Sequence, residues 1–194
     1  MAIAKRKKRF FEVEIPLIKK EVPLQAFEID ELNGRHIKYD MTRILRGKGT
    51  VLSAKVRVEG HKAFADSTKM VILPYYIKRM LRKGTNYVED SFNADCSDAV
   101  LRVKPFLITR RKVSRAVRKT LRNKCKEEIL EKMKSKSTED IFADLIRGSL
   151  QKQLSLALKK VYPLALCEIR IIEQVKVLEK SAQEQKTEAV EKTE

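Results

Sequence analysis

The sequence predicts an α+β protein in which strands come first, helices follow and one strand returns at the end. Before residue 110, hydrophobic and polar residues alternate in several short runs, as they do in strands with one buried face. After residue 110, hydrophobic residues recur about every four positions, as they do on the buried face of a helix. This order of elements is typical of an α+β domain.

Four strands are predicted in the first part of the chain. They cover residues 10–15, 35–45, 50–58 and 63–73. Turns at 47–49 and 59–62 separate the last three of these strands, which indicates an antiparallel meander. Pro16 and Pro23 are expected to bracket a loop after the first strand.

A short helix is predicted between this meander and a second pair of strands. Pro74 suits the first helical position, and Gly84 is expected to end the helix as a left-handed cap. The two strands that follow cover 86–96 and 99–108, with a turn at 97–98 between them.

Helices dominate the last part of the chain. A helix over 110–134 is predicted, and its hydrophobic stripe comprises Val113, Val117, Leu121, Cys125, Ile129 and Met133. A capping-box pattern at 137–140 opens the next helix, and Gly148 separates it from a third helix. Pro163 stops that helix, and 166–178 is predicted to return as a strand.

The chain of 194 residues carries 43 Lys and Arg against 26 Asp and Glu, a net charge of +17. This length fits a single domain, predicted over 10–179, between a flexible basic arm at 1–9 and a disordered tail at 180–194. No stretch approaches about eighteen consecutive apolar residues, so no membrane span is predicted.

Cysteines and histidines give no pattern of a metal site. Cys96, Cys125 and Cys167 lie far apart, and the two histidines have no Cys, Asp or Glu at ligand spacing. The sequence therefore predicts reduced, mostly buried thiols in a cytosolic protein.

Two segments concentrate the positive charge. The first is a run of five cations, Lys5, Arg6, Lys7, Lys8 and Arg9. The second lies between Asp98 and Glu127 and contains eleven cations without one acid: Arg102, Lys104, Arg110, Arg111, Lys112, Arg115, Arg118, Lys119, Arg122, Lys124 and Lys126. A solvated helix face normally interleaves both signs, so this charge pattern predicts a polyanionic partner, and nucleic acid before an acidic membrane.

The spacing of the arginines favours phosphate contact. Four of them recur at i, i+4, i+7 and i+11 and are expected on one helix face: Arg111, Arg115, Arg118 and Arg122. Cations near a helix N-terminus oppose the macrodipole, so a partner's anion is the natural compensation. Stacking of bases on aromatic side chains is the weaker alternative, with these candidates: Phe10, Phe11, Tyr75, Tyr76 and Tyr87.

Motifs of catalysis are absent from the sequence. It has no Walker loop, dinucleotide fingerprint, nucleophile elbow or zinc-protease motif. The residues alone predict a nucleic-acid-binding protein without cofactor, metal or small-molecule substrate. A free nucleic-acid-binding protein of the nucleoid or RNA-chaperone type is one alternative within this class. An RNA-modifying enzyme is another class, which requires a cofactor site that the sequence does not display.

Several segments resemble one family of ribosomal proteins. Residues 102–105 (Arg-Val-Lys-Pro) are followed by 109–112 (Thr-Arg-Arg-Lys) and the basic helix. Residues 33–35 (Asn-Gly-Arg), the basic segment 75–83 and the segment 161–170, with its Tyr-Pro-Leu and Glu-Ile-Arg, agree with the same family. In this order they resemble the eukaryotic- and archaeal-type small-subunit ribosomal protein S-one-e family, also called S-three-A, over roughly residues 5–178.

The chain departs from that family at two places. The family usually has Trp-Tyr where this chain has Phe10 and Phe11, and a basic run where this chain has Gly84, Thr85 and Asn86.

The resemblance implies a structural constituent of the cytoplasmic small ribosomal subunit, on its platform near the messenger RNA exit. It implies an antiparallel β-barrel-like core with flanking helices. It also implies contacts to ribosomal RNA near the 3′ end of the small-subunit RNA and to neighbouring ribosomal proteins, without catalysis or cofactor.

The predicted ribosomal RNA ligands are cations of the arm, the short helix, the 99–108 strand and the basic helix. They are Lys5, Arg6, Lys7, Lys8, Arg9, Arg79, Arg82, Lys83, Arg102, Lys104, Arg110, Arg111, Lys112, Arg115, Arg118, Lys119 and Arg122.

Overall fold

Nine strands, four α-helices and one short 3-10 helix occur in residues 7–177, the part of the chain that the computed structural model describes. They confirm the α+β class. Contacts divide the chain into two units, and the boundary between them in the sequence lies between Met70 and Val71. Lys5 and Arg6 of the predicted arm, and the whole predicted tail at 180–194, lie outside the described residues.

The first unit is a mixed sheet. Its elements are β1 (Arg9–Ile15), β2 (Lys20–Ala26), a 3-10 helix (Ile29–Leu32), β3 (His36–Asp40), β4 (Thr50–Glu59) and most of β5 (Lys62–Ile72). The strand order is β2-β1-β5-β4-β3. Neighbours β3, β4 and β5 follow the chain, as the predicted meander requires, whereas the parallel pairing of β1 with β5 at Val13 and Ala63 was not predicted.

The burial pattern of β4 confirms the predicted alternation. Three alternate residues are buried, namely Leu52, Ala54 and Val56. Lys55 and Arg57, which alternate with them, are exposed. The even-numbered residues of β4 therefore face the core of this unit.

Pro23 lies inside β2 rather than in the expected loop. It stands opposite Glu12 of β1, and β2 ends the strand order of this unit. A proline has no N–H to donate to a neighbouring strand. An edge strand tolerates this loss because one of its sides has no partner strand. The loop prediction was wrong because the sequence does not reveal which strand lies at an edge.

The second unit joins helices to a sheet built around one long strand. Its elements are α1 (Pro74–Met80), β6 (Tyr87–Glu89), β7 (Phe92–Asp95), β8 (Ala99–Thr109), α2 (Arg115–Lys134), α3 (Thr138–Arg147), α4 (Ser149–Lys159) and β9 (Leu164–Val177). Strand β8 pairs antiparallel with β6, β7 and β9. Helix α2 packs on β6, β7 and α4, and α4 packs on β9.

Barrel-like closure is not seen within either unit. In the first unit β2 and β3 end the strand order, and in the second β9 pairs with one side of β8 while β6 and β7 pair with the other. The β8–β9 ladder nevertheless contains three register shifts, which bend and twist a pair of strands.

Helix α1 is shorter than predicted. It ends at Met80, and Leu81 is already extended. Gly84, with a φ of 84°, therefore lies in the following turn rather than at the helix end. Its left-handed conformation is as predicted, but its place in the chain is not.

Helix α2 begins five residues later than predicted. The Ser114 hydroxyl caps it by accepting the Val117 N–H at 3.4 Å, and Arg115 is the first helical residue. Residues 110–112 consequently form a loop before the helix, which we call the basic loop. The helix start predicted at 137–140 is confirmed, because the Ser137 hydroxyl accepts the Asp140 N–H at 3.2 Å as an N-cap. The Asp140 carboxylate lies 2.7 Å from the same hydroxyl.

Candidate nucleic-acid interface

Four cations of α2 lie in one sector of the helix surface. They are Arg115, Arg118, Lys119 and Arg122, which we call the α2 cation sector, and at about 100° per residue they span roughly 100° of the circumference. Arg118 is half-buried and the other three are exposed. The helix is held by its buried residues Leu121, Cys125, Ile129 and Met133. Arg111, predicted on the same face, precedes the helix instead.

The electrostatics of this sector are unfavourable in the isolated chain. Four pairs among its members are three or four residues apart, and like charges at that spacing repel by a few tenths of a kcal/mol per pair. The first turn of α2 contains no acid, and it holds Arg115 and Arg118 at the positive end of the helix dipole, where an anion would be favoured. Within residues 7–177, no salt bridge reaches any of the four. An external anion would relieve both effects.

A buried hydrogen-bond cluster fixes the basic loop. Thr109 is fully buried, and its hydroxyl accepts the Asn86 N–H at 3.0 Å and lies 2.7 Å from the Arg111 carbonyl oxygen, to which it can donate. The Thr109 N–H donates to the Asn86 carbonyl at 2.9 Å. The Asn86 side-chain oxygen in turn accepts the Val113 N–H at 2.9 Å. Both ends of the basic loop are thereby tied to Asn86.

Sequence reasoning missed Asn86 and Thr109. They are 23 residues apart and neither carries a charge, so no spacing or composition signal connects them. In the resemblance to the ribosomal family, Thr109 is one residue of the motif at 109–112, and Asn86 is one of the residues that depart from the family pattern.

The same cluster brings the turn after α1 to the basic loop. The Thr85 hydroxyl donates to the Arg82 carbonyl at 2.7 Å, and Asn86 follows directly. Arg82 and Arg110 line one pocket of about 300 Å³. The structure therefore joins two predicted ligands that lie 28 positions apart in the chain.

Arg79 is positioned by an aromatic ring. Its guanidinium carbon lies 5.4 Å from the centre of the Tyr76 ring, within the range of a cation–π contact. Burial raises the pKa of Tyr76, and the charge of Glu168 raises it further, so the phenol is neutral near pH 7. Tyr75, by contrast, is half exposed.

Arg102 and Lys104 point to the other face of the β8 sheet. Phe92 stands opposite Val103, and Lys126 of α2 lies 5.7 Å from the Phe92 ring, so Val103 faces α2. Its neighbours Arg102 and Lys104 face away from α2, because successive strand residues alternate. The structure does not bring these two cations together with the α2 cation sector.

The described part of the arm belongs to the first unit. Lys7 and Lys8 are exposed, and the Lys8 ammonium lies 5.6 Å from the Phe27 ring centre. Arg9, predicted within the flexible arm, is the first residue of β1.

The cysteines are free, and their environments disfavour thiolate chemistry. Cys96 and Cys125 are buried and Cys167 is half-buried. Burial raises the pKa of Cys96 to about 11 and that of Cys125 to about 12, and it raises the pKa of Cys167 as well. All three thiols are therefore protonated near pH 7.

Residues 7–177 contain no helix that is long and apolar enough to cross a membrane. The same residues contain no group of three or more His, Cys, Asp and Glu side chains that could hold a metal ion.

Comparison with known families decides the ancestry of the chain. The sequence profile of the Ribosomal S3Ae family matches residues 4–181. The chain belongs to this family. The match confirms the resemblance found in the motifs at 102–112 and 161–170, and it covers both units of the S3Ae fold described above.

Archaeal relatives agree with the S3Ae assignment. Small ribosomal subunit protein eS1 of Nanoarchaeum equitans is 27% identical over 168 residues, which cover 81% of this chain and 84% of that protein. The eS1 protein of Pyrobaculum arsenaticum is 28% identical over 179 residues, covering 87% and 80%. That of Pyrobaculum aerophilum is 28% identical over 190 residues, covering 91% and 85%.

Proposed function

We propose that this S3Ae-family chain is a structural constituent of the small ribosomal subunit and binds ribosomal RNA phosphates through α2 and the basic loop. The observation that carries the phosphate contact is the α2 cation sector, four cations in the first half of a helix, beginning at its positive end with Arg115, and without an ion pair inside residues 7–177. Arginine and lysine hold phosphates without reading sequence, which suits a protein that positions folded RNA.

The proposal extends to the other predicted features. The protein acts in the cytoplasm as part of the ribosome, on the platform near the messenger RNA exit, beside neighbouring ribosomal proteins and without catalysing a reaction. Residues 10–179 act as one RNA-binding domain with a barrel-like core, which the bulged β8–β9 ladder supports because bulges curve a sheet. The cations of the arm, of α1 and the turn after it, and of β8 provide further phosphate contacts.

Salt dependence of binding tests the phosphate contacts. If about six to ten phosphates are neutralised, affinity for small-subunit ribosomal RNA falls about 10³–10⁵-fold between 50 and 200 mM salt. A variant with Arg115→Gln, Arg118→Gln, Lys119→Gln and Arg122→Gln keeps the aliphatic stems, and its slope of log affinity against log salt is expected to be smaller by about 3.

A control variant separates site from net charge. Lys55→Gln, Lys152→Gln, Lys159→Gln and Lys160→Gln remove the same charge from exposed positions outside α2 and the basic loop. The control is expected to keep the wild-type slope. Equal losses in both variants would move the RNA site away from α2.

Sedimentation tests the ribosomal assignment itself. A tagged chain is expected to travel with the small subunit, and the four-fold α2 variant to shift toward light fractions. Recovery of the wild-type chain mainly with DNA or with free RNA would instead support the nucleoid or RNA-chaperone alternative.

A further inference from the structure

A pocket of about 300 Å³ lies in the second unit beside the basic loop. The turn after α1, the end of β8 and the start of β9 form it. Its apolar lining includes Met80, Ile108 and Ala165, and its polar lining comprises Arg82, Thr85 and Arg110. Two cations therefore stand beside an apolar interior.

The pocket is built from well-held residues. Ile108 belongs to a buried hydrophobic cluster, against which Met80 packs. Ala165 is the extra residue of a β-bulge, since Ile108 pairs with Leu166 while Thr109 pairs with Leu164. A bulge redirects the side chain it contains, here toward the pocket. The Asn86–Thr109 hydrogen bonds hold the two arginine-bearing segments together.

The combination of linings selects the chemistry of the ligand. Arg82 and Arg110 are both exposed, and no salt bridge within residues 7–177 reaches either one. Two cations at one pocket favour an anionic ligand, whereas the apolar interior favours a flat, weakly hydrated group. A nucleotide has both parts, and an arginine guanidinium can also stack on its base. The volume is at the lower end of the range of small-ligand pockets, which suits one base rather than a duplex.

We propose that this pocket takes one unpaired nucleotide of an RNA strand, with the base against Met80 and Ala165 and the flanking phosphates on Arg82 and Arg110. Bases of a helix remain stacked and cannot enter, so the pocket distinguishes single-stranded from double-stranded RNA. The Thr85 hydroxyl, which donates to the Arg82 carbonyl, keeps lone pairs that can accept from a base N–H. This inference rests on the proposed RNA-binding function and adds base recognition to it.

A pocket-filling variant tests the inference. Ala165→Leu fills the pocket without changing charge, and Ala143→Leu, half-buried on α3 and outside both proposed RNA sites, is the matched control. Affinities are measured for an oligouridylate of about 12 nucleotides and for an RNA duplex of the same length. Ala165→Leu is expected to weaken single-strand binding about fivefold or more, with an unchanged salt slope and unchanged duplex binding. Ala143→Leu is expected to change neither affinity.

The charge variants give the complementary result. Arg82→Gln and Arg110→Gln are each expected to lower the salt slope for the single strand by about 0.7. If Ala165→Leu does not fold, as judged by circular dichroism, Ala165→Val takes its place as a smaller filler.

The outcomes separate the inference from the proposed function. Equal weakening of single strand and duplex by the pocket-filling variant, or no weakening of either, overturns the nucleotide pocket. Absence of salt-dependent RNA binding by the wild-type chain overturns the proposed function instead.

Discussion

Thr109 and Asn86 determine where the cations of the basic loop are placed, although neither residue carries a charge. A threonine hydroxyl has one donor and two acceptor sites, and at Thr109 both kinds are used inside a fully buried site. A buried group that loses its partner keeps the cost of its desolvation. The position of Arg111 therefore depends on a hydrogen bond to its main chain rather than on its own side chain.

Replacement of Thr109 tests this dependence. Thr109→Val keeps the shape but leaves the Asn86 N–H without its side-chain acceptor, so the free energy of unfolding is expected to fall by about 1–3 kcal/mol in urea denaturation. Thr109→Ser keeps the hydroxyl and is expected to retain the hydrogen bonds. Trypsin is expected to cleave the basic loop faster in the valine variant than in the serine variant. Equal cleavage rates would show that the hydroxyl does not hold the loop.

At the scale of elements, the charges on α2 serve helix stability in its second half and oppose it in its first turn. Its second half carries a normal surface, in which Lys132 and Glu128 form an i, i+4 ion pair at 3.7 Å. Its first turn places Arg115 and Arg118 where the helix dipole favours anions, and Lys119 and Arg122 follow in the next turn. Folding alone does not account for this arrangement, whereas a phosphate lying along the first two turns does.

Arg115→Glu is expected to separate stability from RNA binding. Arg115 is the first residue of α2, so an acid there meets the positive end of the dipole, and the free energy of unfolding is expected to rise by about 1 kcal/mol. Thermal unfolding would then shift upward by about 2–4 °C. RNA affinity is expected to fall in the same variant.

Arg122→Glu is the matched control for this effect. It lies two turns inside α2, where the dipole has faded, so it is expected to lose RNA affinity with a smaller gain in stability. A destabilised Arg115→Glu protein would show that Arg115 has an intramolecular role.

Local patterns in the sequence predict individual elements well and their pairing poorly. The alternation in β4 and the helix start at 137–140 involve neighbours in the chain, so both could be read directly. The parallel pairing of β1 with β5 and the bulge at Ala165 depend on which distant strands meet. The residue pattern within one β-strand does not show which other strand it pairs with.

The candidate site divides in the same way. Helical spacing predicts that Arg115, Arg118 and Arg122 share one face, and they do. Arg111, predicted on the same face, is left outside the helix by the Ser114 cap, and Lys119 was not predicted to share it. The separation of Arg102 from α2, and the meeting of Arg82 with Arg110, required the strand pairings and the Asn86–Thr109 hydrogen bonds.

At the scale of the whole molecule, a net charge of +17 acts on stability and on binding with opposite signs. In the free chain, like charges repel one another and oppose the compact state. In a complex with RNA the same charges are neutralised by phosphates, and the released counter-ions make the complex weaker as salt is added. One variable, ionic strength, therefore distinguishes the two states.

Thermal unfolding at increasing salt is expected to move in opposite directions for the two states. Between about 50 and 200 mM salt, where screening shortens the reach of surface charges, the Tm of the free chain is expected to rise because repulsion weakens. Over the same interval, the Tm of the chain bound to a small-subunit RNA fragment is expected to fall toward that of the free chain, because stabilisation by a ligand declines with its affinity. The α2 variant with four glutamines should show a smaller change in both measurements, since it has less charge repulsion in the free chain and fewer phosphate contacts in the complex. A free chain whose Tm falls with salt would mean that attractive ion pairs outweigh repulsion in the unbound protein, and the excess cations would then need no RNA to compensate them.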